Sequence, residues 1–163
     1  MHTVLYGPPG TGKTEVAKIL GNIFCNLGIL TSNTFKKVTR SDLVAGYLGQ
    51  TAIKTREVIE SAIGGVLFID EAYALSGGDG DAFSGEAVRT LLTEVENNRT
   101  NLLVVLAGYK DKMGKLMRAD PGLPRRFPNV VHLADYTPLQ VAEIALSKLK
   151  SKTPPLMVEE GLV

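Results

Sequence analysis

The chain has 163 residues, of which 44% are hydrophobic and 21% charged, close to an average globular protein. This length suits one domain with a sizeable core and is too short for two comfortable ones. The formal net charge is +1, so the chain as a whole is not drawn to nucleic acid or to a membrane surface, and neither is an expected partner. No apolar run is long enough to span a bilayer.

The single cysteine, Cys25, cannot form an internal disulfide, which suits a reducing compartment. The first residues, MHTVLYGPPG, have no basic leader and too short an apolar run for a signal peptide. Unless a targeting segment has been lost upstream, we expect a cytoplasmic protein, or a plastid protein if the source is a photosynthetic eukaryote.

Short apolar runs alternate with segments of helical periodicity along the chain. The predicted strands are residues 3–6, 35–39, 66–69, 102–107 and 130–133, and the predicted helices are residues 15–27, 52–63 and 86–96. Unbroken apolar strands separated by helices indicate a parallel sheet that is covered on both faces. The sequence therefore predicts an α/β fold, a three-layer αβα sandwich around a mostly parallel five-stranded sheet.

A glycine-rich segment, GPPGTGKT, follows the first predicted strand and begins the first helix. It matches the phosphate-binding pattern G-x-x-x-x-G-K-[ST] in full and in the context that the pattern needs, which makes the fold a P-loop NTPase. Backbone amides of such a loop turn inward around phosphate oxygens, and the helix adds the positive end of its dipole. The candidate nucleotide-binding residues here are Gly7, Pro8, Pro9, Gly10, Thr11, Gly12, Lys13 and Thr14.

The first expected ligands are therefore ATP and Mg²⁺. Lys13 is expected to reach the β- and γ-phosphates, and the Thr14 hydroxyl to ligate Mg²⁺. Asp70 and Glu71 follow the apolar run VLFI. Asp70 is expected to hold Mg²⁺ through water, and Glu71 to act as base or orienting group for the attacking water.

Three of these features fall at the carboxyl ends of predicted strands. They are the loop at Gly7, the acidic pair at residues 70 and 71, and Gly108-Tyr109. Ligands of open parallel sheets bind beyond that edge, so we expect the three features to meet there.

Three longer stretches carry a family resemblance: RSDLVAGYLGQTAIKTREVIESAIGGVLFIDEAY (residues 40–73), LLVVLAGYKDKM (102–113) and PGLPRRF (121–127). With the phosphate loop, they resemble the AAA+ ATPases. More narrowly, they are similar to the CbbX/CfxQ group, which includes red-type Rubisco activases and SpoVK-like bacterial proteins. The resemblance covers about residues 3–146. It implies Mg-dependent ATP hydrolysis by a homo-oligomeric ring, usually a hexamer, that remodels a protein client, of which Rubisco is one.

The resemblance also assigns roles to four further residues. Tyr47 and Leu48, between two glycines, match the family's aromatic-aliphatic pore loop, which grips a polypeptide. Arg126, directly before a phenylalanine, matches the arginine finger that a neighbouring subunit donates to the γ-phosphate. Arg125 stands one position away from the family's second arginine and is left without a role. Tyr109 replaces the asparagine sensor of many AAA+ proteins and is a candidate phosphate or water contact.

The last predicted helix begins after Thr137, which can cap it, with Pro138 at its first position and Gln140 able to bond back to the cap. We interpret it as the start of a helical lid. The predicted domains are a nucleotide-binding core, 1–135, and an incomplete lid with connector, 136–163. Relative to the family, the chain is expected to lack the segment before the first strand and most of the lid.

Two other functions stay open at this point. One is an ATP-binding scaffold with little intrinsic turnover, which the incomplete lid favours. The other is a DNA-processing AAA+ protein, which the balanced charge and the aromatic pore loop disfavour. The acidic stretch around Asp79, Asp81 and Glu86 is interpreted as a solvated loop rather than a calcium site. Neither histidine has a partner at metal-ligand spacing, so no transition-metal site is predicted.

Overall fold

The computed structural model describes residues 1–47, 49–77 and 81–150, so Leu48 and Asp79 lie outside the described residues. Within these ranges the strands are β1 (Thr3–Tyr6), β2 (Phe35–Val38), β3 (Val66–Ile69), β4 (Leu103–Gly108) and β5 (Asn129–His132). The α-helices are α1 (Lys13–Asn26), α2 (Arg40–Leu43), α3 (Gln50–Glu60), α4 (Ala82–Asn97), α5 (Lys110–Ala119), α6 (Gly122–Arg126) and α7 (Pro138–Lys150). A 3₁₀ helix covers Ala72–Ser76.

The five strands form one sheet in the order β2-β3-β4-β1-β5, and every neighbouring pair is parallel. The strand β1 lies between β4 and β5, with Val4 opposite Leu106 of β4 on one side and Val130 of β5 on the other. The predicted α/β fold with a five-stranded parallel sheet is therefore confirmed. Because all strands run the same way, their carboxyl ends form one edge, which we call the carboxyl edge.

Each face of the sheet carries its own hydrophobic core, because successive side chains of a strand point to opposite faces. In β3, Leu67 and Ile69 join the core formed with helices α2 to α6. Val66 and Phe68 join the second core, to which α1 contributes Ala17. This is the three-layer arrangement that the unbroken apolar strands predict.

The start of α4 corrects the interpretation of Asp81 and Glu86 as parts of a solvated loop, since Asp81 caps the helix and Glu86 lies within it. Asp81 is half-buried and caps α4, because its Oδ1 accepts a hydrogen bond from the Ser84 backbone N–H at 3.0 Å. Its Oδ2 accepts from Arg40 Nη2 at 2.9 Å and from the Ser84 hydroxyl at 2.7 Å. These bonds keep the pKa of the Asp81 carboxyl below its usual range. Asp81 thus forms a structural ion pair with Arg40 of α2.

Two compact units divide the chain, Met1–Leu133 and Ala134–Val163, with the division two residues before the predicted domain boundary. The second unit contains α7, whose first turn is capped reciprocally. The Thr137 N–H donates to Gln140 Oε1 at 2.9 Å, and the Gln140 N–H donates to Thr137 Oγ1 at 3.3 Å. Neither α7 nor any other helix in the described ranges has the length and apolar character to cross a bilayer.

Candidate functional site at the carboxyl edge

The phosphate-loop segment lies directly beyond β1 and is tied to its neighbour β4. The Gly7 N–H donates to the Gly108 carbonyl oxygen at 3.2 Å. A side chain at Gly7 would meet the Leu133 carbonyl oxygen at 2.8 Å, so only glycine fits this close approach. Gly12, directly before α1, has φ 83°, a conformation that glycine adopts without strain. The loop's glycines are therefore required by its backbone.

Lys13 lies across this loop at the first position of α1. Its Nζ donates to the carbonyl oxygens of Gly7 at 2.9 Å and Pro8 at 2.6 Å, and lies 5.9 Å from the centre of the Tyr109 ring. Burial lowers the pKa of the Lys13 ammonium, and the negative charge of Asp70 opposes that shift. The structure thus brings Lys13, Asp70 and Tyr109 together, as expected for strand ends on one edge.

Asp70 directly follows β3, and both of its carboxylate oxygens have partners. Oδ1 accepts from the Glu71 backbone N–H at 3.0 Å. Oδ2 pairs with Lys37 Nζ at 2.8 Å. The Asp70 side chain is 26% exposed and the Lys37 side chain is 50% exposed. Sequence reasoning missed Lys37, because its closeness to Asp70 depends on the register of β2 against β3, which places Lys37 opposite Phe68.

Glu71 has a backbone conformation that is rare outside glycine. Its φ and ψ are 48° and 40°, and it is the one non-glycine residue with positive φ in the described part of the chain. Such strain costs about 1–3 kcal/mol and concentrates at functional sites. The side chain is exposed at the start of the 3₁₀ helix. Burial and the nearby Glu71 carboxylate raise the pKa of the Tyr73 hydroxyl to about 12.

An aromatic cluster lies beside Lys13 and Glu71. The rings of Tyr73 and Tyr109 are 5.7 Å apart between centres and tilted by 30°. Lys112 Nζ lies 4.8 Å from the first ring centre and 5.2 Å from the second, within the range of cation–π attraction. Of Tyr73, Tyr109 and Lys112, only Tyr109 was predicted from the sequence as a site residue. Tyr73 follows the acidic pair by two residues, a spacing that could have pointed to it.

The predicted pore loop connects α2 to α3, and Tyr47 is 74% exposed there. Side chains of α3 hold the base of the loop. Thr51 Oγ1 accepts from the Ala45 N–H at 3.0 Å, and Lys54 Nζ donates to the Val44 carbonyl oxygen at 3.0 Å. Thr55 Oγ1 donates to the Leu43 carbonyl oxygen at 2.9 Å. The loop therefore presents an exposed aromatic ring from a fixed base.

Arg126, the candidate arginine finger, and its neighbour Arg125 lie away from the carboxyl edge. They end α6, just before β5 begins at Asn129, which places them toward the opposite edge of the parallel sheet. Arg126 Nε lies 3.5 Å from Glu96 Oε2, near the end of α4. Arg125 is exposed. The structure does not bring Arg126 to the phosphate loop of its own chain.

Thr14 and Asp70 fit a magnesium site of the kind completed by a nucleotide. Mg²⁺ prefers oxygen ligands and is commonly held by one or two protein oxygens together with phosphates and water. Asp70 offers a partly exposed carboxylate, and Thr14 offers a hydroxyl in the first turn of α1. Among the described residues, no cluster of three or more His, Cys, Asp or Glu side chains could hold a metal ion.

This arrangement agrees with the comparison to protein families. Residues 3–135 match the AAA family, described as the ATPase family associated with various cellular activities. The chain belongs to the AAA ATPase family. The match includes both strand-end features, the phosphate loop and the acidic pair, together with both arginines.

Individual relatives agree with this assignment and show that it extends over part of their length. The AAA chain is 45% identical over 162 residues to "Protein CfxQ homolog" of Galdieria sulphuraria, covering 99% of this chain and 53% of that protein. It is 43% identical over 159 residues to "Ribulose bisphosphate carboxylase/oxygenase activase, chloroplastic" of Cyanidioschyzon merolae, covering 95% and 54%. The predicted resemblance to the CfxQ group is confirmed.

A third relative belongs to a different system. The chain is 44% identical over 147 residues to "ESX-1 secretion system protein EccA1" of Mycobacterium tuberculosis, covering 88% of this chain and 26% of that protein. The chain thus spans about a quarter to a half of the length of these relatives. Among solved structures, the FIGL-1 AAA domain crystallised with ADP has the same fold, with a TM-score of 0.62, 24% identity, and coverage of 91% of this chain and 48% of that one.

Proposed function

We propose that this chain is the nucleotide-binding core of a ring-forming motor that binds ATP with Mg²⁺, hydrolyses it and remodels a protein client. The observation that carries the proposal is the meeting of three groups at the carboxyl edge. Lys13 contacts the phosphate loop, its charge interacts with that of Asp70, and its ammonium lies over the Tyr109 ring. Membership of an ATPase family supports the same reading.

The proposed role of each site residue follows from its chemistry. Loop amides and Lys13 bind and orient the phosphates, and Thr14 with Asp70 hold Mg²⁺, which neutralises charge on the phosphate oxygens. Glu71 accepts the proton of the attacking water or orients that water. Its exposed carboxylate and fixed, left-handed backbone suit a group that must face the bound nucleotide. Tyr109 is the candidate for a contact to the γ-phosphate or to water.

Arg126 is proposed to act in a neighbouring subunit. In its own chain it lies toward the amino-terminal edge of the sheet, so it cannot serve the phosphate loop at the carboxyl edge. A guanidinium donated across a ring interface would neutralise charge developing on the γ-phosphate. The assembly, a hexamer in most of the family, is therefore part of the proposed active site.

The exposed Tyr47 ring is proposed to contact the client in the central pore. Relatives named for a Rubisco activase and for a secretion system share this core, so the client is not set by the core itself. A protein client is proposed, with Rubisco as one candidate to test.

The test compares ATP turnover of the unaltered chain with that of Glu71→Gln. General base catalysis contributes about 10²–10⁴-fold, so turnover is expected to fall at least about 100-fold while ATP still binds. Glu60→Gln, an exposed acid on α3, is the matched control and is expected to keep full turnover. Unchanged turnover in Glu71→Gln would show that the assigned role is wrong.

A scaffold that binds ATP with little turnover remains the second candidate function. The observation that favours it is that both oxygens of the Asp70 carboxylate already have partners. Oδ1 accepts from the Glu71 N–H, and Oδ2 pairs with Lys37. ATP affinity and turnover should be measured across protein concentration. Turnover that rises steeply with concentration supports the motor, whereas tight binding with negligible, flat turnover supports the scaffold.

A further inference from the structure

A small charged cluster joins the end of α4 to the end of α6. Glu96 divides its carboxylate between two arginines, with Oε1 3.4 Å from Arg99 Nη1 and Oε2 3.5 Å from Arg126 Nε. Arg99 is 71% exposed, whereas Arg126 is 31% exposed. The Glu96 carboxylate therefore pairs with one mostly exposed guanidinium, that of Arg99, and with one partly buried guanidinium, that of Arg126.

Arg126 is fixed at its base and unsatisfied at its Nε. The flanking Leu123 and Phe127 are buried, and the Phe127 N–H donates to the Leu123 carbonyl oxygen at 2.9 Å. The Nε atom is buried and has no hydrogen-bond partner within the described residues, with Glu96 just beyond hydrogen-bond geometry. A buried, unpaired donor on a charged group is costly, so the position of this carboxylate matters.

The Nη groups of the same guanidinium lie apart from the Glu96 contact, which is made by Nε. Its Nη1 lies beside Gly122, where an added side chain would come within 3.3 Å. Since Nε is buried and faces Glu96 while the side chain is 31% exposed, the exposed part of the side chain lies elsewhere than at Nε. A carboxylate behind Nε thus leaves free the two donors that bind a phosphate best as a fork.

We propose that Glu96 is a positioning residue, which holds Arg126 through the ion pair at Nε and aims the Nη groups at the γ-phosphate bound to a neighbouring copy of this chain. The inference rests on the proposed function of Arg126. It adds Glu96, a residue of α4, and makes the orientation of the Arg126 guanidinium in α6 depend on it.

The test is Glu96→Gln, which removes the charge and keeps the length of the side chain. An exposed ion pair contributes up to about 1 kcal/mol, so we expect a roughly two- to fivefold loss of kcat at saturating ATP and high protein concentration, with KM for ATP unchanged. The matched control is Glu94→Gln, which weakens the neighbouring Arg56–Glu94 ion pair on α4. It is expected to keep kcat.

Combining the variants separates failure of this inference from failure of the proposed function. Glu96→Gln should have no further effect in an Arg126→Ala chain. If Arg126→Ala leaves turnover unchanged, the proposed finger and the inference both fail. If Arg126→Ala abolishes turnover but Glu96→Gln retains it, or if Glu96→Gln lowers the residual turnover of Arg126→Ala, only the inference is overturned.

A second readout does not depend on turnover. Phenylglyoxal labelling of the intact chain, localised by mass spectrometry, reports how freely each arginine reacts. Glu96→Gln should speed labelling of Arg126 about two- to fivefold and leave the exposed Arg125 unchanged, because only the first guanidinium faces the carboxylate. Equal rates for Arg126 in both chains would overturn the inference.

Discussion

At the scale of single residues, the candidate site places a charged side chain on a strained backbone. Glu71 has φ 48°, where a side chain costs about 1–3 kcal/mol. The hydrogen bond from the Ala74 N–H to the Glu71 carbonyl oxygen, at 2.8 Å, holds this turn as the 3₁₀ helix begins. The position therefore favours glycine by conformation, and we propose that glutamate is kept there for its chemistry.

This conflict predicts different stabilities for two inactive variants. Glu71→Gly should be more stable to unfolding than Glu71→Ala, by up to about 1 kcal/mol, because glycine tolerates positive φ whereas alanine does not. Urea unfolding of the two variants measures the difference. Alanine equal to or more stable than glycine would mean that the backbone at this position is not strained.

His2 predicts a second effect, on the pH dependence of stability. Its ring is buried, Nδ1 accepts from the Val104 N–H at 3.1 Å, and burial, with the positive Met1 amino group, lowers its pKa to about 4. The unfolded chain binds this proton at about pH 6.5. Between pH 6.5 and 4 the unfolded state therefore binds more protons than the folded state, and stability falls as the pH falls.

The expected loss between pH 7 and pH 4 is up to about 3 kcal/mol. Chemical unfolding at several pH values measures it. His2→Gln keeps an acceptor for the Val104 N–H without a titrating ring, so its curve should be flatter over this range. The exposed His132→Gln is the control. A His2→Gln curve as steep as that of the unaltered chain contradicts the assignment.

At the scale of elements, the strands could be predicted to within one residue, and the helices could not. Strands β3 and β4 are fully buried, so their apolar runs are unbroken and unambiguous. Helix α5 was missed because its ten residues bury only Met113 and Leu116 among charged side chains. Helix α6 was missed because its five residues, GLPRR, contain a glycine and a proline.

The candidate site also contains some residues that the sequence predicts and others that it does not. A local motif could identify residues 7–14 and the acidic pair, since their chemistry is encoded in adjacent positions. Lys37, Lys112 and Glu96 were missed, because each meets a partner far away in the sequence, namely Asp70, Tyr73 and Arg126 respectively. Long-range ion pairs leave no spacing pattern in one sequence.

The junction of α2 and α4 allows a prediction at this scale. Asp81 both caps α4 and pairs with Arg40, so Asp81→Ala should cost about 1–2 kcal/mol of unfolding free energy. Asp81→Asn keeps a capping oxygen but removes the charge, and should cost less than half as much. Thermal or urea unfolding checks the order. Equal losses would assign the whole effect to the ion pair.

At the scale of the whole molecule, the candidate catalytic groups lie on two sides of one chain. The phosphate loop and Glu71 are at the carboxyl edge, and Arg126 is toward the other. A single copy therefore holds one half of each of two proposed sites. We therefore propose that turnover requires assembly into a ring.

Mixing two inactive variants tests this directly. Glu71→Gln keeps the arginine and loses the base, whereas Arg126→Ala keeps the base and loses the arginine. A mixture should regain turnover well above the sum of the separate variants, because mixed interfaces join an intact base to an intact arginine. Turnover equal to the sum at every ratio would show that the arginine does not act across subunits.

The order of the strands has a consequence for synthesis of the chain. Strand β1 is made first, yet its neighbours are β4 and β5, so Thr3 pairs with Val105 and Asn129. At roughly 5–20 residues per second, the ribosome needs several seconds to deliver those strands. Until then the apolar β1 and the phosphate loop that follows it have no sheet to join. Nascent chains that stop short of β4 should therefore stay protease-sensitive and depend on chaperones.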